Sequence, residues 1–374
     1  MLIVYKHTMG GGLLQLVAYG AQDVYLTGNP QITFFKVVYR RHTNFSMESI
    51  EQTFNGTADF SRRVTCQISR NGDLIHRMYL QATITGATWA DNAYAGLRLV
   101  KNVELEIGGQ RIDKQYGDWM FVWNELSLPS GKRAGYDTMV GADAVTTTDT
   151  TMYIPLEFWF CRNPGLALPL IALQYHEVKV NIEFDSAANA GITAGTMGTT
   201  SLWVDYIFLD TDERRRFAQL SHEYLIEQLQ FTGEETVTAS SSNKVKLNFN
   251  HPVKELVWVT QANNALIGTY VGITDAKLQL NGHDRFATRA GTYFTHVQPY
   301  QHHENIPSTA GINVYSFALK PEEHQPSGTL NFSRIDSAVL NVTTAATAVR
   351  ARIYATNYNV LRVMSGMGGL AYSN

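Results

Sequence analysis

Histidines are the first residues of this chain that could carry out chemistry. The sequence contains eleven of them, and His302 and His303 are adjacent, with His296 and His324 nearby. Imidazole nitrogens are common metal ligands, so such a group could bind a metal ion. The same stretch also contains four prolines between 299 and 326, a composition typical of a solvated loop. We therefore expect a loop here, with no metal ion and no cofactor.

Carboxylates in the middle of the chain are the next candidates. Asp210, Asp212 and Glu213 are close enough in sequence to suggest paired carboxylates for acid–base catalysis. Asp210 followed three residues later by Glu213 is also the pattern that begins a helix, and capping explains these residues without chemistry. The sequence has no nucleophile elbow, phosphate-binding glycine loop or zinc-ligand spacing. We predict that the protein is not an enzyme.

Aromatic residues could form a sugar-binding surface. The chain has 19 Tyr, 17 Phe and 6 Trp, and Trp119 and Trp123 are close in sequence. Such residues more often fill sandwich cores and subunit interfaces, which is the interpretation we favour. A carbohydrate-binding protein or glycosidase built from two sandwiches stays an alternative. A glycosidase would need two carboxylates about 5–10 Å apart, and no such pair can be nominated.

Four Asn-X-Ser/Thr sequons are weak candidates for glycosylation. They begin at Asn44, Asn55, Asn331 and Asn341. The motif is short and arises often by chance. Because no signal peptide is evident, ordinary luminal glycosylation has no entry route, and we expect each sequon to be unmodified by that route.

Length and composition limit the fold class. The chain has 374 residues, a formal net charge of -3, 44% hydrophobic residues and 17% charged residues, which indicates a folded protein of two or three domains. The near-neutral balance argues against a dedicated nucleic-acid binder and against a polybasic membrane-surface protein. No apolar run approaches the ~18–20 residues of a transmembrane helix. We expect a soluble, unexported protein in which Cys66 and Cys161 are buried free thiols.

Alternation of apolar and polar residues dominates the sequence and predicts an all-β fold. It is clear at 103–107, 178–184, 245–249 and 276–280, as expected for strands with one face on a core. Glycine turns such as Asn281-Gly282 separate these strands.

Two segments instead suggest helices. One is residues 12–19, and the other is residues 210–221. In the second, the arginines at 214–216 would face solvent, while Phe217 and Leu220 would share an apolar face. A charged helix between two strand-rich halves is typical of a linker, so we place the domain boundary near 211–223.

The two halves resemble each other in the order of their features. The strand–turn–strand pattern at 103–112 resembles that at 276–286, and the late strands at 203–208 and 351–355 also correspond. Alternating strands match one another easily, so the repeat is moderate evidence for two copies of one sandwich.

Four blocks of the sequence are long and specific enough to compare with known families. The blocks are 11–45, which contains GAQDVYLTGNPQITFF; 67–74, QISRNGDL; 210–226, which begins DTDERRRFAQ; and 357–372, NYNVLRVMSGMGGLAY. These blocks closely resemble the major capsid proteins of nucleocytoplasmic large DNA viruses. They run in family order from residue 11 to residue 372, and the resemblance is strongest to the algal-virus and giant-virus branches. Residues 1–8 lie outside the family pattern.

The resemblance implies a double jelly roll: two consecutive eight-stranded jelly-roll sandwiches with a short helical linker and an extended N-terminal arm. We expect the arm at 1–23, the first jelly roll at 24–210, the linker helix at 211–223 and the second jelly roll at 224–374. Loops at 131–150 and 185–200 would decorate the outside of the particle, where glycans are possible.

The resemblance also implies a function, that of a structural major capsid protein. A homotrimer with six sandwiches would form a pseudo-hexagonal capsomer that tiles the icosahedral shell of a large double-stranded DNA virus. The expected partners are the chain itself, neighbouring capsomers and minor capsid proteins beneath the shell, without direct contact to nucleic acid. The expected location is the virion capsid, with assembly in cytoplasmic factories. Because the second sandwich looks compact, a minor capsid paralogue stays an alternative.

Overall fold

The computed structural model describes residues 14, 16, 18, 20–90, 93–142, 149–239, 242–262, 266–345 and 349–372. It divides the chain into two units, 1–43 and 44–374. In the first unit, helix α1 spans Val24–Thr27, and residues 29–43 belong to no helix or strand. Most of the helix predicted at 12–19 lies outside the described residues.

The first half of the second unit contains two antiparallel sheets. One has the order β1-β9-β3-β6, with β7 attached to β3, and the other has the order β2-β8-β4-β5. Helices α2 to α5 lie in the connections. The strands are β1 (Phe45–Gln52), β2 (Arg63–Gln67), β3 (Leu74–Trp89), β4 (Val100–Ile107), β5 (Gln110–Tyr116), β6 (Thr150–Pro155), β7 (Leu168–Pro169), β8 (Val178–Phe184) and β9 (Ile192–Leu209), and the helices are α2 (Ala95–Leu99), α3 (Gly117–Ser127), α4 (Arg133–Val140) and α5 (Trp159–Arg162).

Helix α6 (Thr211–Gln219) leads into the second half, which repeats this architecture. Its sheets have the orders β10-β19-β12-β16 and β11-β18-β13-β14, with β17, β20 and β15 attached at their margins. A π-helical turn at Tyr293–Val297 continues into α7 (Gln298–His302). The strands are β10 (His222–Val237), β11 (Asn243–Lys246), β12 (Pro252–Ala262), β13 (Asp275–Leu280), β14 (His283–Asp284), β15 (Arg289–Ala290), β16 (Ile312–Ser316), β17 (Leu330–Asn331), β18 (Ala338–Thr343), β19 (Val349–Met364) and β20 (Met367–Leu370).

The strand orders of the two halves are equivalent position by position, which confirms the predicted double jelly roll. The strands β1, β9, β3 and β6 correspond to β10, β19, β12 and β16, and the strands β2, β8, β4 and β5 correspond to β11, β18, β13 and β14. The hairpin β4–β5 corresponds to β13–β14, as the internal repeat predicts. In the second hairpin, Asn281 and Gly282 have φ values of 50° and 82°, as a tight type I′ turn requires.

The core explains why the alternating strands pack in this way. Inward-facing residues of both sheets in the first sandwich form one cluster of buried apolar side chains, and Ile226, Tyr354 and Leu361 of the second sandwich belong to the same cluster. A second cluster surrounds Trp258, whose exposure is 0%. Because apolar packing continues from one sandwich into the other, the two halves are joined by a core and not by the linker alone.

Two expectations about the connections are wrong, and two helices were not predicted. Helices α3 and α4 were missed, and α4 occupies part of the segment predicted as an outer loop at 131–150, of which 143–148 lie outside the described residues. The loop predicted at 185–200 is also wrong from residue 192 onward, because this stretch begins β9 and pairs with β3.

Candidate functional site

The linker carboxylates have structural partners. The Asp210 side chain accepts a hydrogen bond from Thr211 N at 2.7 Å and caps α6, and Glu213 pairs with Arg216 at 3.0 Å. The predicted helix and its cap are therefore confirmed, and capping and pairing account for Asp210 and Glu213. Phe217 packs on an apolar cluster at the end of the first sandwich. The prediction that Leu220 shares this face is wrong, because the helix ends before it and Leu220 is 62% exposed.

His303 is buried between two carboxylates, so the prediction of a solvated loop is wrong for this side chain, although residues 303–311 belong to no helix or strand. Its Nε2 lies 2.9 Å from Glu255 Oε2, and its Nδ1 lies 2.8 Å from Glu322 Oε1. Burial lowers the pKa of His303, but the two carboxylates outweigh this effect and raise it to about 9. The imidazolium ties α7 to β12 and to the loop that carries Glu322.

Glu227 on β10 is the centre of a second buried ionic cluster. Its carboxylate lies 2.9 Å from Arg162, 3.0 Å from Lys254 and 3.2 Å from His324. Burial raises the pKa of Glu227, but Arg162, His324 and Lys254 together lower it to about 2. Since Arg162 comes from α5 of the first sandwich, this cluster also joins the two halves.

Asp118 connects the sandwiches at another point. It lies at the start of α3 in the first sandwich and accepts hydrogen bonds from the hydroxyl groups of Tyr270 at 2.5 Å and Tyr354 at 2.8 Å, both in the second sandwich. Arg352 lies 3.4 Å from the same carboxylate. One buried aspartate thus holds three side chains of the opposite half.

Asp113 on β5 is a buried carboxylate at the same junction. It accepts hydrogen bonds from Gln115 Nε2 at 2.7 Å, from Lys114 N at 2.9 Å and from Leu229 N at 3.1 Å, the last across the junction. Burial outweighs these bonds and raises the pKa of Asp113 to about 6. These clusters line the junction with polar contacts between the two sandwiches.

Trp119 and Trp123 do not form a sugar-binding surface, because both are buried. Trp119 is 3% exposed and Trp123 is 5% exposed, and Trp119 packs on Tyr354 with ring centroids 5.4 Å apart. Trp159 and Trp258 are also buried. This confirms the core interpretation for these four residues and removes the main observation that favoured a carbohydrate-binding protein.

The four sequons lie in different surroundings. Asn44, Asn55 and Asn331 are exposed, and Asn331 accepts a hydrogen bond from Ser333 N at 3.0 Å. Asn341 is buried within β18, and its Nδ2 donates to Gln279 Oε1 at 3.1 Å. A glycan at Asn341 would have to displace this contact, so the folded chain disfavours that position.

The remaining kinds of candidate site concern metal ligands, reactive thiols and membrane-spanning helices. No cluster of three or more His, Cys, Asp and Glu side chains is placed to hold a metal ion there. Cys66 and Cys161 are buried free thiols, as predicted, and burial raises the pKa of Cys66 to about 11, which makes it a poor nucleophile. Across the same described residues, none of the helices has both the length and the apolarity needed to span a membrane.

The apolar–basic segment, residues 31–43, contains several of the most exposed large apolar side chains among the described residues. Phe34, Phe35 and Val37 are 85%, 97% and 93% exposed. Lys36, Arg40 and Arg41 add positive charge, and no acidic residue occurs between 24 and 47. Exposed apolar surface of this kind marks an interaction site.

Family models match almost the whole folded part of the chain. The model described as the major capsid protein N-terminus matches residues 33–210, and that of the large eukaryotic DNA virus major capsid protein matches residues 213–369. The two matches meet at the linker.

Several proteins are similar to the chain over their full length. The major capsid protein of Pyramimonas orientalis virus is 62% identical over 400 residues, covering 98% of this chain and 100% of the relative. The major capsid protein of Paramecium bursaria Chlorella virus 1 is 48% identical over 438 residues with the same coverage.

Solved structures agree with these relatives. A crystal structure of a PBCV-1 capsid protein, fitted into a reconstruction of the virophage Sputnik, superposes with a TM-score of 0.84 at 45% identity, covering 91% of this chain and 100% of that chain. A quasi-atomic model of the PBCV-1 virus capsid gives a TM-score of 0.84 at 44% identity, again covering 91% of this chain and 100% of that chain. The chain therefore belongs to the family of major capsid proteins of large eukaryotic DNA viruses and is a structural protein of the virus capsid.

Proposed function

We propose that the chain forms a homotrimer that serves as a pseudo-hexagonal capsomer of an icosahedral shell. The observation that supports this proposal most is the duplication of one jelly roll within a single chain whose two halves share one apolar cluster. Three such chains supply six similar modules, and cyclic symmetry brings these modules into a ring with six sides. The outer flanks of the ring are then available for neighbouring capsomers.

Light scattering coupled to size exclusion tests the trimer. The account expects a mass of three chains that is constant over a wide range of protein concentration. A mass of one chain, unchanged at high concentration, would contradict the trimer while leaving family membership intact.

The chain acts in this proposal by packing and not by catalysis. The buried ionic groups bind protein partners at the sandwich junction, and the thiols are buried. The proposed partners are copies of the chain and minor capsid proteins beneath the shell. We also propose that outer loops carry glycans. Expression late in infection and assembly in cytoplasmic factories complete the proposal.

The domain division is proposed together with this function: an arm at 1–23, jelly rolls at 24–210 and 224–374, and a linker at 211–223. The strands of the two sandwiches begin at Phe45 and His222, on either side of α6. Limited proteolysis with mass spectrometry tests it, with first cleavage expected before residue 44 and none at the buried sandwich junction.

A major subunit and a minor paralogue differ in abundance. If the chain is the major subunit, quantitative mass spectrometry of purified particles should find it as the most abundant shell protein. A copy number far below that of another double jelly-roll chain would assign it to the minor class.

A further inference from the structure

The apolar–basic segment has the character of a strand without a sheet. No residue from 29 to 43 belongs to a helix or strand, so this stretch has no ladder of main-chain hydrogen bonds. Between Ile32 and Tyr39 it is rich in β-branched and aromatic residues, the types that favour strands. Ile32, Val38 and Tyr39 are 73%, 74% and 86% exposed, so both alternating sets of side chains lack apolar cover.

The main chain decides which kind of partner fits. Inserted into a bilayer, an extended segment would leave its N–H and C=O groups unpaired in hydrocarbon, which is strongly unfavourable. The edge of a protein sheet supplies main-chain partners and alternate side-chain contacts together. The segment is therefore better suited to strand addition than to lipid insertion.

Strand β1 offers a matching edge. It is the terminal strand of its sheet and pairs on one side with β9, from Phe45 with Leu209 to Gln52 with Leu202. Its first five residues are exposed, and Phe45 and Met47 are 55% and 48% exposed. In the described chain its other side carries no paired strand, so main-chain groups of β1 face outward there.

Charge distinguishes β1 from β11, the terminal strand of a sheet in the second sandwich. Glu48 and Glu51 give β1 two negative charges and the strand contains no cation, whereas the apolar–basic segment carries Lys36, Arg40 and Arg41. The terminal strand β11 of the second sandwich has the opposite character, with Lys244 and Lys246. Cross-strand pairs of opposite charge stabilise a sheet, and pairs of like charge destabilise it.

We propose that residues 32–39 of one copy add as a strand to the open edge of β1 in a neighbouring copy. The inference rests on the proposed function, because it needs a second copy held close by. The twelve residues from 32 to 43 span at most about 40 Å when extended, so the segment can reach an adjacent molecule. The added strand links copies through main-chain bonds and places its alternating side chains beside those of β1 on the two faces of the sheet.

Cross-linking between two tagged full-length copies tests the contact. One copy carries Val38→Cys and the other carries Ser49→Cys, both at exposed positions. A short bis-maleimide tolerates a shift of register between the strands, and the native cysteines are buried. We expect a cross-linked product that contains both tags. The matched control replaces Ser49→Cys by Lys244→Cys on the edge of β11 and should give only background.

Charge reversal supplies a second readout. Glu48→Lys with Glu51→Lys should lower the cross-linked fraction by roughly tenfold, and Lys36→Glu with Arg40→Glu in the other copy should restore it. Light scattering on the same samples separates the two proposals. A mass of one chain refutes the trimer. If the protein is a trimer but the Val38→Cys/Ser49→Cys pair gives no more cross-linked product than the Lys244→Cys control, strand addition is refuted and the trimer is not. A cross-link that forms only within a single chain carrying both substitutions also refutes strand addition between copies.

Discussion

Raising the pH should lower the free energy of unfolding of the protein, because His303 loses its proton. The imidazole lies between Glu255 and Glu322, and the side chains of both His303 and Glu255 are 0% exposed. The pKa of His303 is raised from 6.5 to about 9 in the folded chain. A group whose pKa is raised by folding stabilises the fold while it is protonated in both states. Its contribution is fully present below pH 6.5 and is lost as the pH rises through about 9.

The size of this effect follows from the pKa shift. Each unit of difference between folded and unfolded pKa corresponds to about 1.4 kcal/mol, so the protein should lose about 3 kcal/mol of unfolding free energy across this interval. Because the imidazole is buried, solvent screening does not reduce this figure. His303→Gln removes the titrating group and leaves Glu255 without its cation, which should cost about 3–5 kcal/mol at pH 6.

Guanidinium unfolding at a fixed protein concentration, repeated from pH 6 to 9.5, measures both effects. The parent protein should lose stability over this range, and His303→Gln should show a much flatter profile. His302→Gln is the matched control, since His302 is the sequence neighbour of His303 and its Nδ1 lies 3.0 Å from the carbonyl oxygen of Leu319. Equal slopes for the parent and His303→Gln would refute the assigned role of this imidazolium.

Two further substitutions test the sandwich junction by the same unfolding assay. Asp118→Ala leaves the hydroxyl groups of Tyr270 and Tyr354 without their acceptor and should cost about 3–5 kcal/mol, whereas a loss below about 1 kcal/mol would show that Asp118 does not join the halves. Asp113→Asn should stabilise the protein at pH 8 by about 1–3 kcal/mol, because folding raises the pKa of this buried carboxyl group and its charge is therefore unfavourable. The asparagine keeps an acceptor oxygen for the main-chain donors once the Gln115 amide reorients. Destabilisation at pH 8 would mean that the charge itself is needed.

The strands were predictable because their causes are local. Alternation at 178–184 and 276–280 and the glycine turns determine where strands and hairpins form, and the structure places β8 and β13 there. The duplicated order of features likewise predicted the equivalence of the two sandwiches. Asp210 was recognisable as a cap because capping depends on neighbouring residues alone.

Helix α3 was not predictable from periodicity. Its residues from Gly117 to Leu126 are all buried, so no polar face marks the helical repeat. The start of β9 was predicted as a loop because its residues are small and polar. These residues form a strand because they pair with β3, a contact that local sequence does not reveal.

The buried ionic groups depend on distant contacts. His303 lies 48 residues from Glu255 in sequence, and a proline-rich neighbourhood gives no sign of that contact. The position of Asp118 between two tyrosines of the other sandwich was hidden for the same reason. The sequence blocks did identify the family, because they occur in family order from residue 11 to residue 372.

A cryo-electron-microscopy map of purified virus particles tests the central claim most directly. The account predicts a shell of pseudo-hexagonal tiles, each fitted by three copies of this chain with both jelly rolls built into the tile. Tiles that need six copies, or density for this chain only beneath a shell made of another protein, would contradict it.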